Sequence, residues 1–113
     1  MKVVDVCQQY FAARCIYSGV ERRAAAVTLT AESDAGTIRY VAAVSFFPHT
    51  DEEDFAVSYD ARAERELYAA AGRRSKKREA ALLETLRDEI DALAAELGGA
   101  IFWDEPLCEA RYG

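Results

Sequence analysis

The chain has 113 residues, of which 51% are hydrophobic and 30% charged, and its net charge is −6 at pH 7. This length and balance predict a single domain spanning residues 1–113 and argue against intrinsic disorder. No apolar run approaches the roughly 18 residues of a membrane span, and the first residues lack the pattern of a secretory signal. We therefore expect an acidic, cytoplasmic protein with no membrane partner.

The first segment contains apolar residues four positions apart: Val3, Cys7, Phe11 and Cys15. Such a stripe predicts an amphipathic helix that ends near residues 18–19, where a glycine can adopt the left-handed conformation. Because the segment begins with β-branched residues, a strand over residues 2–7 is the alternative.

The next segment alternates apolar and polar residues, as in "VTLTAE" from residue 27. Period two predicts half-buried strands over residues 27–32 and 38–46, with Pro48 ending the second. The intervening "SDAG" has turn chemistry, since Gly36 can accept a positive φ. We expect a β-hairpin here.

Residues 50–71 are ambiguous. We favour a strand at 55–60, because a single hairpin needs a third strand or a helix to be stable. For the following "ARAERELYAAAG" we expect a short alanine-rich helix, with a continued strand as the alternative.

A long helix is predicted to begin after Ser75 as its N-cap and to end at residues 98–99. Its apolar stripe has spacings of three and four and consists of Leu83, Leu86, Ile90, Leu93 and Leu97. The following "AIFWDEPL" predicts a short strand stopped by Pro106, and residues 105–113 are expected to be loosely held.

Together these elements predict an α+β fold in the order α-β-β-β-(α)-α-β. Three or four mainly antiparallel strands would form a small sheet with helices packed on one face. The last strand is expected to lie parallel to its neighbour after a helical crossover.

The distribution of charge is unusual at the start of the long helix. Five of the fourteen basic side chains fall in residues 73–78, and removing these five from a net charge of −6 leaves −11. We call this segment the basic cluster; it consists of Arg73, Arg74, Ser75, Lys76, Lys77 and Arg78. The second half of the helix is acidic, so both ends oppose the helix dipole at about 0.3–1 kcal/mol per exposed charge.

Three kinds of counterpart would offset this arrangement. The acidic run at residues 51–54 could fold back onto the basic cluster. Alternatively, two copies of the helix could pack antiparallel in a homodimer, together with an exposed sheet face. A phosphate-bearing ligand could also bind Ser75 and the neighbouring basic side chains at the helix start.

The third explanation carries a family resemblance. "GRRSKKREAA" resembles the lysine-rich opening of the second helix in double-stranded-RNA-binding domains, and the predicted helix and three strands before it are similar to theirs. The resemblance implies that Lys76, Lys77 and Arg73 contact phosphates. The "SDAG" turn differs from that family's histidine-containing loop, and the negative net charge counts against nucleic acid as the main partner.

The cysteines and the only histidine do not form a recognisable site. Cys7, Cys15 and Cys108 are odd in number and lack a C-x-x-C pair, so we expect buried thiols, with no metal and no cofactor. A zinc site with His49 would lack the usual ligand spacing. Without a nucleotide-binding or nucleophile motif we expect no catalytic residue; an enzyme using His49 in its acidic loop is the last alternative.

Aromatic residues favour association. Some of the following five are expected to be left on the surface: Tyr40, Phe47, Tyr59, Tyr68 and Trp103. In a regular strand Phe46 and Phe47 point to opposite faces, so a helix or another chain should cover the second face. The sequence thus predicts a binding or assembly module, with polyanion binding at the basic cluster as the alternative.

Overall fold

The structure, a computed structural model, describes residues 1–47 and 61–107. In chain order its elements are β1 (Lys2–Tyr17), β2 (Val20–Asp34), β3 (Thr37–Phe47), β4 (Ala61–Ala71), α1 (Lys76–Glu96) and β5 (Gly99–Pro106). The strands form one sheet in the order β4-β3-β2-β1-β5, and every neighbouring pair is antiparallel.

The predicted architecture is therefore wrong in three respects. The described chain has five strands rather than three or four, one helix rather than several, and no parallel pair. The predicted strand at 55–60 and most of the predicted loose tail lie outside the described residues.

β1 is a strand over its whole length, so the helix predicted for the first segment is wrong. A spacing of four residues is close to one helical turn, but it is also twice the strand period, and the stripe could not separate the two. Phe11, Ala13 and Cys15 are buried on one face. Ser18 and Gly19, with φ of 52° and 76°, form the turn into β2 rather than a helix end.

The β2–β3 hairpin is confirmed. Asp34 pairs with Thr37 across a two-residue loop, Ala35 and Gly36, whose φ angles of 52° and 82° are those of a turn with both central residues left-handed. This geometry matches the right-handed twist of the strands and explains why "SDAG" closes the hairpin.

Residues 61–71 form the strand β4. The helix predicted for residues 61–72 is therefore wrong, and the alternative of a strand is correct. β4 pairs with β3 from Phe46↔Ala61 to Thr37↔Ala71, with one irregularity next to Tyr40. Alanine and glutamate are good helix formers, but propensity differs by less than about 1 kcal/mol per residue, and pairing with β3 overrides it.

The long helix α1 is confirmed, with Ser75 as its N-cap. Its apolar face covers one face of the sheet, where Leu86, Ile90 and Leu93 are buried. Leu83, expected in the same stripe, lies off this face and is 40% exposed. The core between α1 and the sheet also contains Phe11, Cys15, Ala25, Val27, Leu29, Tyr40, Val44, Phe46 and Ile101.

The opposite face of the sheet, which we call the second face, carries a smaller cluster. Phe47 packs there with Ala24 and Ala26, beside Tyr10. Phe46 belongs to the core under α1, so the two adjacent rings do point to opposite faces. The only helix in the described chain, α1, packs on the other face.

Candidate functional site

The basic cluster lies between the end of β4 and the first turn of α1. Arg74 donates two hydrogen bonds to the carboxylate of Glu79, at 2.8 and 3.0 Å. Glu79 is only 8% exposed, in the first turn of α1, where a negative charge suits the helix dipole. Arg74 is therefore engaged inside the molecule, and the helix start is less unfavourable than its sequence predicts.

A buried tyrosine completes this contact. The hydroxyl of Tyr40 donates to Glu79 Oε2 at 2.8 Å and accepts a hydrogen bond from the Ser75 backbone N–H at 3.1 Å. Tyr40 and Phe47 are buried, so neither is among the aromatic residues left on the surface. The three groups tie the start of α1 to β3.

The electrostatics of Glu79 follow from these partners. The hydrogen bonds from Arg74 lower the pKa of the Glu79 carboxyl, burial opposes this, and the Tyr40 hydroxyl lowers it further. The same contact raises the pKa of Arg74. Glu79 is thus held ionised, as a structural anchor rather than as a proton donor.

The other members of the basic cluster differ in their engagement. The Arg78 guanidinium lies 4.2 Å from the centre of the Tyr68 ring, a cation–π distance. The Ser75 hydroxyl accepts from the Arg78 backbone N–H at 3.2 Å. Arg73, Lys76 and Lys77 are exposed and have no ion pair with any described residue. The acidic run at 51–54 lies outside the described residues.

The acidic second half of α1 has counterparts in its own chain. Arg65 of β4 bridges Glu89 at 3.0 Å and Glu96 at 2.9 Å. Trp103 Nε1 donates to Asp91 at 2.9 Å. The anionic end of the helix is therefore partly neutralised without a second molecule.

A second candidate surface lies around β5, on the second face. Ile101 and Trp103 pack with the core under α1, so Phe102 between them points away from the helix. Cys15 and Tyr17 likewise flank Ile16. Ile16 is 55% and Phe102 40% exposed, and both line one open groove.

We call this surface the β5 patch. It consists of the groove residues Arg14, Ile16, Gly98, Gly99, Ala100 and Phe102, around a volume of about 470 Å³. Neither Ile16 nor Phe102 was predicted from sequence as a surface residue; Ile16 fell in a segment expected to be a helix. The alternation of "IFW" could have identified Phe102 as the residue on the opposite face from Ile101 and Trp103.

The floor of the groove is bare backbone. A Cβ atom on Gly99 would lie 2.7 Å from Phe46 Cζ and 2.9 Å from Cys15 Cβ, which is too close. Glycine is therefore required at 99, where the backbone rests directly on the core. With Gly98 and Ala100 on either side, little side-chain volume fills the groove.

Charges of both signs lie in and next to the β5 patch. Arg14 and Arg23 both approach Glu21, at 3.6 and 3.7 Å, which leaves one excess positive charge near Ile16. Asp104 and Glu105 follow Phe102, and both are exposed without an ion pair to any described residue. Arg14 pairs with Ala100, so along the strands it lies between Ile16 and Phe102, and the acidic residues lie beyond Phe102.

Elsewhere the second face is already closed. Arg39 of β3 bridges Glu32 of β2 at 2.8 Å and Glu66 of β4 at 2.7 Å. Between these strands Val41 and Ala43 are each 2% exposed. A partner that covered this part of the sheet would bury little additional apolar surface.

The cysteines do not form a site in the described part of the chain. Cys7 and Cys15 lie on β1 eight residues apart, about 26 Å in an extended strand, so they cannot share a metal or a disulfide. Burial raises the pKa of both thiols. No group of three potential metal ligands occurs among the described residues. Cys108 and His49 lie outside them.

The comparisons with known proteins show no relative. No family model matches this chain, and neither a curated protein nor a solved structure is similar to it. The double-stranded-RNA-binding resemblance does not extend to the fold, because the described residues before α1, 1–47 and 61–75, form four strands and no helix. Within the described residues, no helix combines the length and apolarity needed to cross a bilayer.

Proposed function

We propose that this protein is a small assembly module that forms a homodimer through the β5 patch. The observation that carries the proposal is the pair of exposed apolar side chains, Ile16 and Phe102, beside one groove. Exposed apolar side chains that share a concave surface, with polar groups at its rim, are typical of interaction sites.

The expected affinity is modest. Fully burying an apolar side chain of this kind contributes about 1.5–3 kcal/mol, and about half of Ile16 and Phe102 is already covered. Four such side chains across a dimer therefore contribute roughly 3–6 kcal/mol before the entropic cost of association. Because that cost is at least about 4 kcal/mol, the charge pairs must supply most of the net binding, and we expect a weak dimer with a dissociation constant between about 10 µM and 1 mM.

The proposal places the contact on the sheet rather than on α1. The apolar stripe of the helix, including Leu86, Ile90 and Leu93, packs on the protein's own sheet. In the acidic half of the helix, Glu89 and Glu96 form ion pairs with Arg65. An antiparallel helix pair would have to displace these contacts.

Sedimentation equilibrium between about 10 µM and 1 mM protein tests the proposal. Phe102→Asp should abolish the dimer, because it replaces an exposed apolar side chain of the β5 patch with a charge. Leu83→Asp is the matched control, since Leu83 is also 40% exposed but lies on α1. A monomeric wild type throughout, or dissociation by Leu83→Asp alone, would overturn the proposal.

A phosphate-bearing ligand at the basic cluster is less well supported. Arg74 and Arg78 already contact Glu79 and Tyr68, so three of the five cations remain for a ligand. Fluorescence anisotropy with duplex RNA at two salt concentrations would detect such binding. Salt-sensitive binding that is lost in a Lys76→Ala, Lys77→Ala variant would favour this function over assembly.

A further inference from the structure

We infer that the dimer is twofold symmetric, with Phe102 of each copy in the groove of the other and Arg14 facing the partner's Asp104. This inference rests on the proposed function and specifies how the two copies meet. It uses only surfaces that the described chain leaves uncovered.

The shape of the β5 patch is self-complementary. Residues 98–100 line the groove and contribute little side-chain volume to it. The Phe102 ring, which is 40% exposed, also lines the groove. A projecting ring and a hollow on the same surface satisfy the requirement of a twofold interface, in which one patch contacts itself. Each copy supplies one ring and accepts one.

The charges of the patch favour the same symmetry. A twofold axis between Phe102 and residues 98–100 reverses the direction of β5, so Arg14 of one copy faces the acidic segment that follows Phe102 in the other. The existing Arg14–Glu21 contact is long, at 3.6 Å, and the Arg14 side chain is 66% exposed, so its guanidinium can be shared at little cost. A parallel arrangement would instead place Asp104 against its own counterpart.

Side chains rather than backbone hydrogen bonds hold this interface. Between the pairs Ala13↔Ile101 and Phe11↔Pro106, residues 102–105 of β5 face a single residue of β1, so the edge strand bulges. A bulge, two acidic residues and a proline are the features that prevent edge strands from pairing. The two sheets therefore do not join into one.

Charge reversal tests the arrangement by sedimentation equilibrium. Arg14→Asp and Asp104→Arg should each weaken the dimer about fivefold to tenfold, and the double variant should recover most of the wild-type affinity. Lys77→Asp, which changes an exposed cation on α1, is the charge control and should leave the affinity unchanged. Far-ultraviolet circular dichroism verifies that each variant is folded.

The outcomes separate the two proposals. If Phe102→Asp abolishes the dimer but the Arg14 and Asp104 variants act additively, the β5 patch is the interface and the twofold arrangement is wrong. If no concentration yields a wild-type dimer, both proposals are wrong. Recovery in the double variant establishes the pairing of Arg14 with the partner's Asp104.

Discussion

At the scale of single residues, the Tyr40 hydroxyl holds the start of the helix. It is buried and satisfies two groups at once, the Ser75 N–H and the Glu79 carboxylate. A buried polar group is tolerated when it is fully hydrogen-bonded. Removing one partner leaves the other buried group without a hydrogen bond, which lowers the stability of the fold. The basic cluster is therefore anchored by a residue 33 or more positions earlier in the chain.

Tyr40→Phe should lower the free energy of unfolding by about 1–3 kcal/mol, because it leaves the Ser75 N–H without its partner and Glu79 with one partner fewer. Urea denaturation followed by circular dichroism measures the change. Tyr68→Phe is the control, since the Tyr68 ring that contacts Arg78 is retained. Equal stability of the Tyr40→Phe variant and wild type would show that the hydroxyl does not anchor α1.

The Glu79 carboxylate should also make stability depend on pH. Because Arg74 lowers the pKa of the folded-state carboxyl below its ordinary value of 4.5, the stabilisation is present above pH 4.5 and lost as pH falls through the folded-state value. We expect the advantage of wild type over Glu79→Gln to shrink from pH 7 to pH 3 in urea denaturation. A difference that stays constant over that range would contradict this linkage.

At the scale of elements, β4 and α1 are joined by charge as well as by packing. Arg65 contacts Glu89 and Glu96, which lie two turns apart on the helix. A single arginine thereby offsets part of the unfavourable interaction between the acidic residues and the helix C-terminus. The counterpart that the charge pattern requires is supplied here by a strand that was expected to be a helix.

Arg65→Gln should lower the free energy of unfolding by about 0.5–1 kcal/mol, since two partly exposed carboxylates lose their counterion. The loss should be smaller in 1 M salt, where exposed charges are screened over about 3 Å. Arg23→Gln is the control, with one contact at 3.7 Å and a 73% exposed side chain. A loss that is unchanged by salt would point to packing of the Arg65 stem instead.

At the scale of the whole molecule, α1 protects one face of the sheet and leaves the β5 end of the other face uncovered. Near β4 the second face carries the Arg39 ion pairs and the buried Val41 and Ala43, whereas Ile16 and Phe102 remain exposed near β5. This asymmetry explains why association is proposed at one end of the sheet rather than across its whole face.

Association should raise the thermal stability with concentration, because a partner that binds only the folded state stabilises it by mass action. Between about 10 µM and 1 mM we expect the wild-type Tm to rise by a few degrees. Differential scanning calorimetry measures it, and the Tm of Phe102→Asp should stay constant. A wild-type Tm independent of concentration would argue against the dimer.

The candidate site was predictable only in part. The basic cluster and its Ser75 cap follow from sequence, and the structure places both at the start of α1. The internal engagement of Arg74 depends on Tyr40, which a strand brings to the helix from 34 positions away in sequence. The exposure of the β5 patch depends on which face of the sheet α1 covers, and no local sequence pattern predicts that face.

The sequence by itself determined the elements whose signals are local. These are the β2–β3 turn at Ala35 and Gly36, and the helix after Ser75, with its N-cap and apolar spacings of three and four. Tertiary structure alone decided that β1 and β4 are strands. Apolar spacings of four fit both helix and strand, and the helix preference of the alanine-rich segment is small enough for tertiary contacts to override. Hydrogen bonding of β1 to β2 and of β4 to β3 therefore decided the structure of both segments. Those hydrogen bonds join residues that are distant in sequence, so local propensity cannot predict them.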